Sequence, residues 1–155
     1  MSDINELYQQ LIIDHGRRPR NFVESASANC VLEGFNPLCG DRLTVYITEQ
    51  DGVVKEATFL GNGCAISMAS ASLMTEAIKG KTLQQTRALF AAFHRLVTGA
   101  GADSGIDTSI DTGLLGKLCV LAGVAEFPAR VKCATLAWHT LMGAIDREER
   151  VISTE

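Results

Sequence analysis

Apolar side chains at Ile4, Leu7, Tyr8, Leu11 and Ile12 recur at three- and four-residue spacing, which places them on one face of a helix over residues 4–15. Arg17, Arg18 and Arg20 surround Pro19, and proline disfavours helical backbone in the residue before it, so an exposed basic turn is expected next. From Asn29 the period changes to two. Residues 30–35, the alternation Leu43, Val45, Ile47, and residues 53–60 after the turn signal Asp51-Gly52 predict three strands in an antiparallel meander. Helical spacing returns at Cys64, with Ile66, Ala69, Leu73 and Ala77 in a stripe that stops at Gly80. Further helices are expected over residues 83–97, around 114–121, and over about 130–147, the last with Cys133, Ala137, Leu141 and Ala144 on one stripe. Residues 98–112 are Gly, Asp, Ser, Thr and Ala without an apolar period, which predicts a surface loop, and the polar tail to Glu155 is expected to fray. The class is α+β: a small antiparallel three-stranded β-sheet packed against α-helices.

A chain of 155 residues without an internal repeat is expected to form a single domain, 1–155, with a core large enough to fold without metal or disulfides. Fourteen Lys and Arg against 18 Asp and Glu leave a net charge of −4, which argues against a phosphate grip on nucleic acid. The uncharged apolar run 118–125 is far shorter than the roughly 18 residues a membrane helix needs, so no membrane association is expected. The first residues carry Asp3, Glu6 and Asp14 rather than a basic region before an apolar block, so a cytoplasmic protein is expected. An odd count of five cysteines in such a chain points to reduced thiols.

Three of those thiols sit where chain geometry favours reactivity or metal binding. Cys39 lies in Asn36-Pro37-Leu38-Cys39-Gly40-Asp41, a turn between two strands, with the Asp41 carboxylate two residues on. Cys64 lies in Gly61-Asn62-Gly63-Cys64-Ala65, where a strand ends and a helix starts; free backbone N–H groups and the helix dipole stabilise a thiolate there. Cys133 follows Arg130-Val131-Lys132 and is expected in the first turn of the last helix beside two cations. Blander readings compete: a cysteine on a helical stripe can be a small core hydrophobe, and Asp41 can cap its own turn. Cys30 and Cys119 have no such surroundings and are assigned to the core. None of the cysteines forms a CxxC pair, so any ligand set must be assembled by the fold. His15, His94 and His139 are not assigned to a metal, Trp138 and the methionines are assigned to the core, and Asp103, Asp107 and Asp111 lack the ligand order of a calcium loop.

The strings NPLCGD, GNGCAIS and ARVKCATLAW resemble the three cysteine motifs of the U-type iron-sulfur cluster assembly proteins, and LYQQLIIDHGRRPRN resembles their N-terminal segment. The resemblance runs from Leu7 to about Ile145. It implies that Cys39, Asp41, Cys64 and Cys133 converge on one site that binds zinc or an iron-sulfur cluster. It also implies a pyridoxal-phosphate cysteine desulfurase as partner, iron-sulfur acceptor or downstream assembly proteins beyond it, and a docking surface that includes Tyr8, Arg17, Arg18 and Arg20. Housekeeping scaffolds of the family usually carry His before the third cysteine, where this chain has Lys132, and their stretch between the second and third cysteines is shorter than here. Both features resemble the Suf-pathway branch, described as zinc-dependent sulfurtransferases. Three thiolates and a carboxylate around Zn²⁺ carry a formal charge of 2 − 4 = −2, for which Arg130 and Lys132 are the neighbouring cations. Cys39 is the expected sulfur acceptor, since its turn moves more easily than a helix start. The alternative is a scaffold on which a [2Fe–2S] cluster is built and passed on.

Overall fold

The computed structural model describes residues 2–37, 40–98, 115–146 and 152–153, with backbone alone for 2–8 and 152–153. In chain order the elements are α1 (Ser2–Arg17), β1 (Cys30–Asn36), β2 (Asp41–Gln50), β3 (Val53–Asn62), α2 (Ala65–Ile78) and α3 (Leu83–Thr98). A 3₁₀ segment (Gly116–Glu126), α4 (Pro128–Ile145) and β4 (Ile152–Ser153) follow. The sheet has the order β3-β2-β1-β4, with the expected antiparallel meander forming its first three strands. The short β4 runs parallel to β1 opposite Gly34 and Phe35, so part of the tail expected to fray is paired; a two-residue strand has no period to detect.

Asp51 and Gly52 both have positive φ, the geometry of a two-residue turn whose twist matches that of the strands it joins, and it pairs Gln50 with Val53. At the other end of β2 the register sets Asn36 opposite Asp41, which closes the β1–β2 hairpin beside the chain's first cysteine motif. One sheet face, including Leu32, Leu43, Val45, Ile47 and Phe59, is buried; the other carries Val31, Glu33 and Arg42, the last stacked on Phe35. α4 lies against β1, β2 and α2, and α1 against α2. Trp138 of α4 is fully buried, stacks on Phe93 of α3 with centroids 4.7 Å apart, and donates its indole N–H to Ser70 Oγ of α2 at 3.2 Å. It is a core residue, as expected.

Two elements differ from expectation. The segment after residue 114 is a long 3₁₀ helix, and its buried positions Leu115, Leu118, Leu121 and Val124 recur every three residues, the period at which such a helix keeps one face. Over ten residues that spacing resembles an α-helical stripe. The last helix starts at Pro128 rather than about 130, because proline at the first helical position loses no hydrogen bond and its φ is preset. The expected loop over residues 98–112, its aspartates and the end of the last predicted helix at 147 lie, beyond Thr98, outside the described residues.

α1 is fastened to α2 through His15. The Ser72 hydroxyl accepts the Arg20 backbone N–H at 2.8 Å and shares a hydrogen bond with His15 Nδ1, 2.7 Å away, while Nε2 faces Glu76 at 3.8 Å. Burial pushes His15 below its usual 6.5, Arg20 and Lys117 act in the same direction, and Glu76 and Asp14 oppose them. His139, half-buried near His94, is lowered for the same reason. The unfolded chain therefore binds protons more readily as pH falls through 6.5, so the stability these groups confer is present above that pH and lost below it. The denaturation midpoint is expected to drop between pH 7.5 and 5. His15→Gln is expected to lower it at pH 7.5 and flatten the decline; a midpoint level across that range in the parent protein contradicts the assignment.

Candidate metal centre

Asp41 is the first residue of β2 and is almost fully buried at the hairpin end, behind a turn closed by the Gly40 N–H donating to Asn36 O at 2.8 Å. Cys64 is separated from β3 by Gly63 alone and is the N-cap of α2. Its backbone is extended and its Sγ accepts the Ser67 N–H at 3.5 Å. The two meet because β2 and β3 are paired through Arg42 and Asn62. Asp41 Oδ1 accepts the Cys64 backbone N–H at 3.0 Å, and Oδ2 lies 3.7 Å from Cys64 Sγ. Each group anchors the other before any ion is considered.

Cys133 comes from the opposite layer. It lies in the second turn of α4, not the first as expected, so its own N–H is spent within the helix and the helix start does not serve its sulfur. The side chain is fully buried; its thiol faces Ala129 O at 3.7 Å, and Asn36 Nδ2 faces the sulfur at 3.9 Å. Asn36 is the buried donor that sequence reasoning missed. Its place at the head of NPLCGD was the available signal, but its partner is 97 residues away.

The structure brings one ligand atom each of Asp41, Cys64 and Cys133 within 4.8 Å of one another. Ligands about 2.3 Å from a tetrahedral ion sit about 3.8 Å apart, so these donors need to close by about 1 Å at most to hold zinc. Two thiolates and a carboxylate are zinc donors by type, and a fully buried hydroxyl without a partner, Ser67 Oγ, lies beside them. The residues fit the ion. Cys39, expected as fourth ligand and sulfur acceptor, lies outside the described residues, as does the side chain of Tyr8.

The other candidates separate into two groups. Arg130 is exposed and lines a groove of about 800 Å³ between α1, the 3₁₀ segment and the start of α4; Ile12, Ile66, Val124 and Phe127 form apolar walls and Cys64 is part of the lining. Lys132 is half-buried on the same helix. Arg17 and Arg18 are exposed, whereas Arg20 pairs with Asp14 and donates to Arg18 O, so it pins the turn rather than standing free. Cys30 is in the core, and Cys119 packs against it with burial raising its thiol pKa. No histidine joins the donor cluster among the described residues.

A family model described as the NifU-like N terminal domain matches residues 7–134. The chain is 40% identical over 148 residues to the zinc-dependent sulfurtransferase SufU of Bacillus subtilis (strain 168), spanning 96% of this chain and 95% of that protein. It is 37% identical to the iron-sulfur cluster assembly scaffold protein IscU of Streptococcus pyogenes serotype M1, over 95% of this chain and 87% of that one. Among solved structures, a putative iron-sulfur cluster assembly scaffold protein for the SUF system from thermophilic Fervidobacterium islandicum has a TM-score of 0.79 and 31% identity, covering 91% of this chain and 98% of that one. The three cysteine motifs, the sheet-and-helix fold and the matched span agree: the chain belongs to the NifU-like N-terminal domain family.

Proposed function

We propose that this protein serves iron-sulfur cluster assembly as a zinc-binding sulfur carrier, taking persulfide sulfur from a pyridoxal-phosphate cysteine desulfurase and passing it to downstream assembly proteins. The observation that carries the reading is the meeting of Asp41, Cys64 and Cys133 donor atoms within 4.8 Å, with Cys64 also lining an apolar groove. Similarity to a zinc-dependent sulfurtransferase over nearly the full length of both chains supports the carrier over the scaffold, as does Lys132 at the position before the third cysteine.

Asp41, Cys64 and Cys133 would hold the ion together with Cys39, and zinc, having no redox chemistry, would protect the thiolates from pairing as disulfides. Asn36 directs its amide at the Cys133 sulfur, and Arg130 and Lys132 offset the site's negative charge. Cys39 is the acceptor. Its thiolate attacks the outer sulfur of the desulfurase persulfide, the sulfur–sulfur bond breaks, and the electron pair leaves on the desulfurase cysteine. The product is a persulfide on Cys39, with no net oxidation. The apolar groove with Arg130 at its edge offers the partner's cysteine-bearing segment a path to the centre, and Arg17 and Arg18 remain exposed for docking. Among the described residues no helix is long and apolar enough to cross a membrane. The reduced thiols that this chemistry needs are those of the cytoplasm, the proposed location.

The test omits iron. Protein incubated with a cysteine desulfurase and cysteine is expected to raise alanine production and to gain one sulfur mass on the peptide containing Cys39. Metal analysis of the isolated protein is expected to find about one zinc per chain. No stimulation without iron, together with a stable visible-absorbing cluster that transfers to an acceptor, would establish the scaffold instead.

A further inference from the structure

α2 opens with half of a capping box. In the full motif the N-cap side chain accepts the N–H of the third helical residue, and that residue's side chain returns to accept the N–H of the N-cap. Cys64 Sγ accepts the Ser67 N–H, but the Cys64 N–H goes to Asp41 Oδ1, an acceptor from a different strand. The Ser67 side chain is thereby released from the cap. Its Oγ is fully buried and has no hydrogen-bond partner, one of two such hydroxyls among the described residues; the other belongs to Thr58.

The orphaned hydroxyl lies near the carboxylate. A Cβ placed on Gly63 would lie 3.1 Å from Ser67 Oγ and 3.2 Å from Asp41 Oδ1, so both oxygens border one small gap that the missing side chain keeps open. A carboxylate oxygen has two lone pairs, and the Cys64 N–H occupies only one of those on Oδ1. A buried charge needs more donors than a single amide provides.

We propose that Ser67 is a positioning residue for Asp41: its hydroxyl donates to Oδ1 alongside the Cys64 N–H when the centre is loaded, which leaves Oδ2, the oxygen facing Cys64 Sγ, as the ligand. The inference deepens the zinc-centre reading above and rests on it. Partners of this kind fix the orientation of a metal ligand, and their loss typically costs about 10–100-fold in metal affinity. In the metal-free fold Ser67 Oγ makes no bond, so its removal has no such bond to break.

That asymmetry is the test. Ser67→Ala and, as a control on the other orphaned hydroxyl, Thr58→Val are prepared in the full chain. Zinc affinity is read by competition with a chromophoric chelator, the cobalt-substituted protein by its visible spectrum, and the metal-free protein by thermal melting. Ser67→Ala is expected to weaken zinc by about tenfold or more and to shift the cobalt bands, while its metal-free form melts no lower than the parent. Thr58→Val is expected to leave zinc affinity and cobalt spectrum unchanged. Parental zinc affinity and cobalt spectrum in Ser67→Ala overturn the inference and leave the zinc centre standing. A lowered melting point of metal-free Ser67→Ala also overturns it, because the hydroxyl then shapes the fold rather than the ligand. If the parent protein takes up no zinc, the metal reading falls and this one with it.

Discussion

Replacing Asp41 with alanine is expected to weaken zinc binding by about 100-fold or more, beyond the cost of losing an outer-shell partner, and to abolish stimulation of the desulfurase. The same change strips the Cys64 N–H of its acceptor at the start of α2, which is expected to cost about 1–2 kcal/mol of stability in the metal-free protein. Asp41→Asn separates the two roles. The amide oxygen still accepts the Cys64 N–H, so the metal-free protein keeps near-parental stability, but the anionic ligand is gone and zinc is still lost. Chelator competition and urea denaturation, measured on both variants, check the pair. Parental zinc affinity in Asp41→Asn would remove the carboxylate from the centre.

Gly61→Ala is expected to be the most damaging single change to the fold near the site. Gly61 has φ +147°, and a Cβ there would lie 2.2 Å from Arg42 O and 2.8 Å from Leu43 Cα. Those are backbone atoms of the paired strand, so no side chain can turn aside; β2 and β3 must part. Backbone strain and overpacking together suggest a loss of about 3 kcal/mol or more, a large share of the 5–15 kcal/mol typical of a domain. The separation would fall between Asp41 and Cys64, so zinc uptake should fail before the fold does. Equilibrium denaturation gives the first quantity and zinc titration in mild urea the second. A midpoint equal to the parent's would mean that the strands tolerate the side chain.

Much of the fold was legible because its signals are local. The Asp51-Gly52 turn fixes its nearest pairs, Gln50 with Val53 and Glu49 with Val54, and the helical stripes are long enough to distinguish from strands; the register shift beyond Glu49 carries no such local signal. What escaped depends on small differences or on distance. A three-residue period and a 3.6-residue period look alike from Leu115 to Val124, and Pro128 looks like a stop although it opens α4. For the site, each of Asp41, Cys64 and Cys133 stood out by its surroundings, but their convergence was implied by family motifs, not by spacing. The reason is physical: the Asn36–Asp41 register, the β2–β3 pairing and the packing of α4 must all be in place before the three donors meet. Asn36 and Ser67 carry no chemical label in the sequence, since an amide and a hydroxyl acquire their role only from what the folded chain puts beside them.

Because the Cys64 sulfur also holds the first turn of α2, it is badly suited to travel. Loading cargo onto it would shift its charge one atom outward and let the helix unwind at the point where Asp41 is moored. A division of labour follows: the Cys64 thiol stays at its post, and in the proposed carrier the cargo falls to Cys39 instead.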